Sequence, residues 1–350
     1  MSRVVALILH APLAPGGGPL VRAFEAIRRE QATRHSEGFA AAGADSILDD
    51  DPTPMSFGER VRRVVAREEP HGIVVLGSGS IPIAGLPERS LFVGVAAGPA
   101  GHAVANNRYS ADAVALAGAA VLAHLPDVAS DNGLPRWLAT EAGMTVRDLR
   151  TRWRLQLDLD SPLDALLIAP EPTAERLAAE GIDTAAVHDA IRAVERTTRD
   201  ASRELIVAGR ASAAGLDLLE RTTASRTRAL IEERGFRTRL AGQRPVRSAL
   251  GLVLDRDGPA GFGARLAELG DAAIVDSRVL VAHRFGADEA GWPSPDDRYA
   301  SDLLLPERIA DPWLRELTRS ARDAPIPVLL GGHTLVGPGL RLVLDASRWT

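Results

Sequence analysis

The strongest constraint on the fold is an alternation along the chain. Short, uninterrupted apolar runs take turns with longer helical stretches. Val4–Leu9, Gly72–Leu76, Leu205–Ala208 and Ile326–Leu330 are runs of the first kind. A strand with one wet face alternates apolar and polar residues, whereas a strand covered on both faces reads as a continuous apolar run. Parallel neighbours also need a crossover, usually a helix. The pattern therefore predicts an α/β protein whose sheets are mostly parallel and flanked by helices. At 350 residues the chain is long enough for two such domains.

Val4–Leu9 leads into the Pro/Gly loop Ala11–Pro19, with glycines at 16, 17 and 18. A helix over Leu20–Ala42 follows, with Gly43 as its stop signal. Ser56 and Glu59 form a capping-box pair for a second helix, which runs to Glu69. Strand Gly72–Leu76 ends in the small-residue loop Gly77–Ile83. Beyond it the sequence predicts a strand over Leu91–Ala96, helices over Ser110–Leu125 and Ser130–Ala142, and a strand over Leu155–Leu159. Pro162 opens a further helix. The stretch Ala169–Pro172 predicts a boundary. The expected domains are residues 1–170 and 203–350, joined by a helical connector, 171–202. In the second domain strands are expected at Leu205–Ala208, Leu250–Leu254, Ala273–Ala282, Ile326–Leu330 and Leu340–Leu344. Helices are expected at Ser212–Arg221, Pro259–Leu269 and Pro312–Arg322.

Composition removes several chemistries. All 41 basic residues are arginine, and there is no lysine and no cysteine. This excludes thiolate nucleophiles, zinc–thiolate and iron–sulfur sites, Schiff-base lysines and lysine-bearing P-loops. The net charge of −5 argues against a nucleic-acid partner. Between Arg199 and Arg247, 11 arginines stand against 6 acidic residues, which suits either solvated helix faces or an anion-binding surface. No apolar run approaches the roughly 20 residues of a membrane span, and no signal peptide is legible. A cytoplasmic protein is the expectation.

Residues 153–166 read Trp-Arg-Leu-Gln-Leu-Asp-Leu-Asp-Ser-Pro-Leu-Asp-Ala-Leu. This resembles the Asp-x-Asp-Thr-Pro-x-Asp-Leu signature of small nucleotidyltransferases of the nucleotide-diphospho-sugar transferase fold, of the 2-phospholactate and molybdenum-cofactor guanylyltransferase type. The resemblance covers residues 1–170 and implies that fold for the first domain. It also implies a nucleotide partner and a magnesium ion, with Asp158 and Asp160 as the candidate metal ligands. Magnesium takes carboxylates and waters, and nucleotidyl transfer needs its charge. An acidic strand-to-helix turn whose Asp and Ser groups only satisfy backbone donors fits the same residues. Two departures stand out. The first loop holds no basic residue, Arg22 being the nearest in sequence, although its glycines can offer N–H groups to phosphate. After the central strand, Gly77 and Ser78 stand where the family has Gly-Asp.

Further candidates come from the loops. Gly77, Ser78, Asn106, Asn107 and Arg108 can hold an anion or a base, and equally can close turns. In the second domain the strand ends give Arg210 and Ser212, then Asp276 and Arg278, then His283, then His333. Arg298 lies in the Pro/Gly-rich stretch that starts at Gly286. His283, His333 and Asp276 are the expected catalytic groups, and Arg210, Ser212, Arg278 and Arg298 the expected anion clamps. The leading reading is a nucleotidyltransferase-like protein that moves a nucleotidyl group from an NTP to a small phosphorylated or carboxylated metabolite. Two others stand beside it. One is a hydrolase or phosphotransferase working from the second domain. The other is a non-catalytic protein that binds a nucleotide or metabolite.

Overall fold

The computed structural model describes residues 2–11, 16–128, 131–235 and 244–349. Residues 12–15 of the first Pro/Gly loop, Ser130, and residues 236–243 of the arginine-rich stretch lie outside them. The chain divides into two compact units. Unit 1 comprises residues 1–14 and 25–159, and unit 2 residues 15–24 and 160–350.

Unit 1 is built on strands β1 (Val4–Leu9), β2 (Asp45–Asp49), β3 (Gly72–Gly77), β4 (His102–Ala105), β5 (Ala113–Ala117) and β6 (Thr145–Asp148). Their order is β2-β1-β3-β5-β4-β6. β1 is parallel to β2 and β3, β5 runs antiparallel to β3 and β4, and β6 is parallel to β4. The helices are α1 (Pro19–Ala41), whose residues 19–24 group with unit 2, then α2 (Phe57–Glu68), α3 (Leu86–Ala96) and α4 (Leu134–Thr140). The period of two along β1 explains its unbroken apolar run. Val5 and Leu7 pack with Phe57, Val61 and Val64 of α2. Val4, Ala6 and Ile8 pack on the other face with Ala32 and Phe39 of α1 and Phe92 of α3. At the start of α2 the Ser56 hydroxyl accepts the Glu59 N–H, as the capping pair predicts.

Unit 2 has strands β7 (Glu204–Gly209), β8 (Arg226–Ile231), β9 (Ala272–Asp276) and β10 (Val328–Gly331), in the order β10-β9-β7-β8, all parallel. Helices α5 (Pro162–Ile168), α6 (Pro170–Ala179) and α7 (Ala185–Thr198) precede β7. Then come α8 (Ala213–Thr222), α9 (Ala249–Asp257), α10 (Phe262–Leu269) and α11 (Ser277–Phe285). The last are α12 (Pro295–Asp302), α13 (Pro312–Arg322), α14 (His333–Val336) and α15 (Leu340–Val343). The α/β class therefore holds in both units, with parallel-rich sheets flanked by helices.

Several expected elements change type. Leu91–Ala96 is the second half of helix α3, Leu250–Leu254 lies in α9, and Leu340–Leu344 is α15 with its C-cap, none of them strands. A short apolar run fits a buried strand and a buried helix turn equally, and here caps decide: Ser248 accepts the Gly251 N–H at the start of α9. Ser110–Leu125 is not one helix, and only Ala119–His124 is helical, as a short 3-10 turn. Ala113–Ala117 is a wholly buried strand between β3 and β4, where burial overrides the helical preference of alanine. Leu155–Leu159 forms no strand, only an isolated bridge from Asp158 to Ser80. Ala273–Ala282 changes halfway, with the strand ending at Asp276 and α11 starting at Ser277.

Candidate functional site

In an open α/β sheet, ligands bind beyond the carboxyl ends of the strands, where the strand order reverses. In unit 1 the chain runs from β1 out to β2 and returns to β3 on the other side of β1, so the reversal lies between β1 and β3. The residues just past these ends are His10 and Ser78, both buried. His10 Nδ1 lies 3.0 Å from Ser78 Oγ, and His10 Nε2 lies 2.7 Å from Glu25 Oε1. Burial lowers the affinity of His10 for a second proton, although Glu25 pulls the other way. In the neutral ring the Nε2–H donates to the Glu25 carboxylate, which leaves Nδ1 to accept the Ser78 O–H. Arg28 completes the network. It donates to Ser78 Oγ at 3.2 Å and to the Ala11 carbonyl at 3.2 Å. The basic group at this edge is therefore Arg28, two turns into α1, and not Arg22. Arg22 pairs with Glu180 and the Gly17 carbonyl in unit 2.

The loop after β3 is pinned by its surroundings. A side chain at Gly79 would lie 2.9 Å from the Leu159 carbonyl and 3.1 Å from Asp158 Oδ1. The Asp158 carboxylate accepts the Leu159 N–H at 3.0 Å. The loop between β4 and β5 lies at the same edge, since the Gly77 N–H donates to the Asp112 carbonyl. Asn106 organises it. Its amide oxygen accepts from Asp112 N and Ala113 N, and its amide nitrogen donates to Asp112 Oδ2 and the Leu155 carbonyl. That leaves Asn106 a structural role. Asn107 accepts the Tyr109 N–H and so closes a turn, while Arg108 is exposed. The segment leads into β5 rather than into a helix. Residues His10, Glu25, Arg28 and Asp112 were not legible as site residues, because only the sheet order brings them beside Ser78 and Gly77.

In unit 2 the reversal lies between β7 and β9. At β9 the side chain of Asp276 is wholly buried and takes a bidentate pair from Arg210, at 2.5 and 3.0 Å. Gly209 makes this possible. Its φ is +115°, and a Cβ there would sit 2.3 Å from the Asp276 Cβ. Arg278, in the first turn of α11, forms a second buried bidentate pair with Asp302 at the end of α12, at 2.8 and 2.5 Å. Burial works against the Arg278 charge, but the Asp302, Asp276 and Asp164 carboxylates outweigh it and raise its pKa. Burial pushes the Asp302 carboxyl up while Arg278 pulls it down, and the two short parallel bonds favour the ion pair. Asp276 and Arg278 therefore have separate partners and do not lie on one strand face.

Asp164 in the first turn of α5 joins this cluster. Leu163 beside it packs against Gly331 at the end of β10. Asp164 Oδ2 accepts the Asp160 N–H at 3.1 Å and the Ser161 O–H at 3.0 Å. Burial first, then the charges of Asp160 and Asp302, push its carboxyl up to about 8. Asp160 itself pairs with His333 Nδ1 at 3.3 Å, and both are partly exposed. His283 is placed elsewhere, near the far end of α11. Its Nδ1 accepts the Ser248 N–H at 3.0 Å and its Nε2 donates to Asp255 at 2.9 Å. Ser212 caps α8 by accepting the Gly215 N–H. Arg298 pairs with Glu289 and stacks over Trp292. Among the described residues no group of three or more His, Asp or Glu side chains is gathered to hold a metal ion. Nor is any helix among the described residues long and apolar enough to cross a membrane.

No family model matches this sequence, and no curated protein matches it. Among solved structures the chain is similar to CMP:2-keto-3-deoxy-manno-octonic acid synthetase complexed with CTP. The identity is 15%, over 42% of this chain and 89% of that one, with a TM-score of 0.26.

Proposed function

We propose that this protein is nucleotidyltransferase-like and that the carboxyl edge of the unit 1 sheet takes the nucleotide. One observation carries the reading: Arg28 is fixed by Ser78 and the Ala11 carbonyl at the β1/β3 reversal point, beside the pinned Gly77–Ser80 loop. A guanidinium held in place from behind suits a phosphate, which it can grip with two parallel N–H donors. This supplies the cation that the lysine-free first loop lacks. The resemblance of residues 153–166 to the nucleotidyltransferase signature points to the same chemistry. His10 and Ser78 are buried, so their part is to hold Arg28 and the loop. The reaction would form a bond from an acceptor phosphate or carboxylate oxygen to the α-phosphorus of the NTP, with pyrophosphate leaving.

Magnesium would neutralise the triphosphate in such a reaction. The donor set at this edge suits it, because Asp158 and Asp112 offer only hard oxygens. A magnesium ion shared with phosphates needs just one or two protein carboxylates. The test is calorimetric titration with CTP, GTP and ATP, with and without magnesium. One of them should bind, Arg28→Ala should weaken it at least tenfold, and Asp158→Ala should remove the effect of magnesium. If no nucleotide binds, or if both variants bind as the wild type does, the proposal fails.

A further inference from the structure

We propose that β8, the free edge of the unit 2 sheet, is an interaction surface for a second copy of this chain, the two β8 strands pairing antiparallel about Ala229. The proposal does not rest on the nucleotide reading of unit 1. The two edges of this sheet differ. β10 is buried along its whole length, whereas every residue of β8 is exposed except the half-buried Leu230. The exposure includes the apolar Ile231, at 44%.

The backbone of β8 is open as well. The Arg226 N–H donates to the Arg203 carbonyl at 3.0 Å, and the Glu232 N–H donates to the Gly209 carbonyl at 2.9 Å. In a parallel ladder alternate residues of a strand bond to the same neighbour. Arg226, Arg228, Leu230 and Glu232 therefore face β7, and Thr227, Ala229 and Ile231 turn their N–H and C=O groups outward. Among the described residues nothing bonds these outward groups. Such an edge is a template for another strand, and proteins that keep it single use a proline, a bulge or a cover. β8 contains no proline, and its register with β7 runs without a bulge from Glu204↔Arg226 to Gly209↔Ile231. Its two arginines lean back over their own sheet. Arg228 reaches Glu204 at 3.0 Å and the Leu269 carbonyl at 3.0 Å, and Arg226 reaches Glu204 more loosely, at 3.7 Å.

Charge selects the occupant and the register. In a two-fold antiparallel pair the outward residues must lie opposite one another. Centred on Ala229, the pair sets Thr227 opposite Ile231 of the second copy and Ala229 opposite itself, so every outward N–H and C=O finds a partner. The same register sets Arg226 opposite Glu232 of the second copy, twice over by symmetry, and Arg228 opposite Leu230. Opposite charges across strands attract and like charges repel. Glu232 spends one oxygen on the Ala249 N–H, which leaves the other for Arg226. The neighbouring registers are worse. Centred on Arg228, the pair sets that arginine against itself, and centred on Leu230 it sets Arg226 against Arg234. The strand is thus self-complementary in one register. Strand pairing alone buries less than the roughly 1,200 Å² of a standard interface, so the expected dimer is reversible, with micromolar affinity.

The experiment is sedimentation velocity of the purified full chain over a wide concentration range, with two sets of variants. The wild type should pass reversibly from monomer to dimer. Ala229→Pro removes an N–H that β7 does not use, so it should leave the fold intact by circular dichroism and weaken the dimer at least tenfold. Arg226→Glu and Glu232→Arg should each weaken it about tenfold, and the two together should restore it, because the swap rebuilds both ion pairs. Register is read by cross-linking, since the chain has no cysteine of its own. Opposed residues of a bonded pair have Cα atoms about 5.5 Å apart, within reach of a disulfide. Under diamide the Ala229→Cys variant should therefore link to its own copy. The Thr227→Cys variant should not, because four residues of offset separate the two thiols by roughly 13 Å. A chain that stays monomeric at every concentration overturns the proposal, including the case in which this edge takes an extended peptide of another protein. A dimer indifferent to Ala229→Pro, or equal cross-linking at the two positions, overturns it too.

Discussion

The carboxylate of Asp296 accepts the backbone N–H of Gly18 at 2.6 Å, and it also takes the N–H groups of Leu20 at 3.1 Å and Val21 at 3.4 Å. It thereby closes the amino terminus of α1 from 278 residues away. A carboxylate there satisfies donors that a helix start leaves open and meets the positive end of its dipole. The Gly18 N–H, one of those the loop glycines could offer to a phosphate, is occupied by a side chain of the same chain.

Asp296→Ala should therefore cost about 1–2 kcal/mol, as the loss of a good helix cap does. Gly18→Ala should cost at least as much, because its Cβ would lie 2.5–2.7 Å from the Asp296 carboxyl atoms. The two effects share one cause. In a double-mutant cycle followed by urea unfolding, Gly18→Ala should be much milder in the Asp296→Ala background, and strict additivity would show that the clash is not the source.

Asp164 makes a second prediction, through pH. Below 3.8, its ordinary value, the carboxyl is protonated in folded and unfolded chains alike. Between 3.8 and about 8 the unfolded chain gives up a proton that the folded one keeps. Stability should then fall as pH rises across that window, by up to about 1.4 kcal/mol per pH unit. Asp164→Asn should flatten this slope and be the more stable protein at the upper end. Equal slopes for the two proteins in urea unfolding at several pH values would refute it.

His35 should act in the opposite sense. It is wholly buried in unit 1, where burial first and the Arg89 charge second lower it from 6.5 to about 4. Above 6.5 the ring is neutral in both states. As pH falls from 6.5 to about 4, the unfolded chain takes up a proton that the folded one refuses, and stability is lost. The full difference amounts to about 3 kcal/mol. His35→Gln should remove this acid sensitivity while leaving that of other groups, and an unchanged acid midpoint would count against it.

What the sequence revealed divides by range. Val4–Leu9, Gly72–Leu76 and Ser56 with Glu59 announce their structures locally, because burial on both faces and helix capping are written in neighbouring residues. Leu250–Leu254 fails because five apolar residues fit a strand or a helix turn, and the Ser248 cap is the only local arbiter. The candidate sites fail for a different reason. Ser78, Asp276 and Arg278 are visible as polar groups near strand ends. Their partners His10, Arg210 and Asp302 are set by strand order and by helices that return from afar. Asp164 is visible within the nucleotidyltransferase-like motif, yet its burial comes from the packing of α5 within unit 2 and has no sequence signal.

The Arg278–Asp302 pair gives the last prediction, because burial separates what the pair contributes from what breaking it costs. Both side chains are almost fully buried, so each charge has lost its water and depends on the other. Asp302→Leu leaves a stranded guanidinium and should cost about 3–5 kcal/mol, and Arg278→Met leaves a stranded carboxylate and should cost about as much. The double variant removes both charges, and the apolar pair should restore most of that loss, since desolvating two ions offsets much of their attraction. Chemical unfolding of the three variants decides the matter. A double variant as unstable as the sum of the singles would mean that these groups make separate, irreplaceable contacts rather than one closed pair.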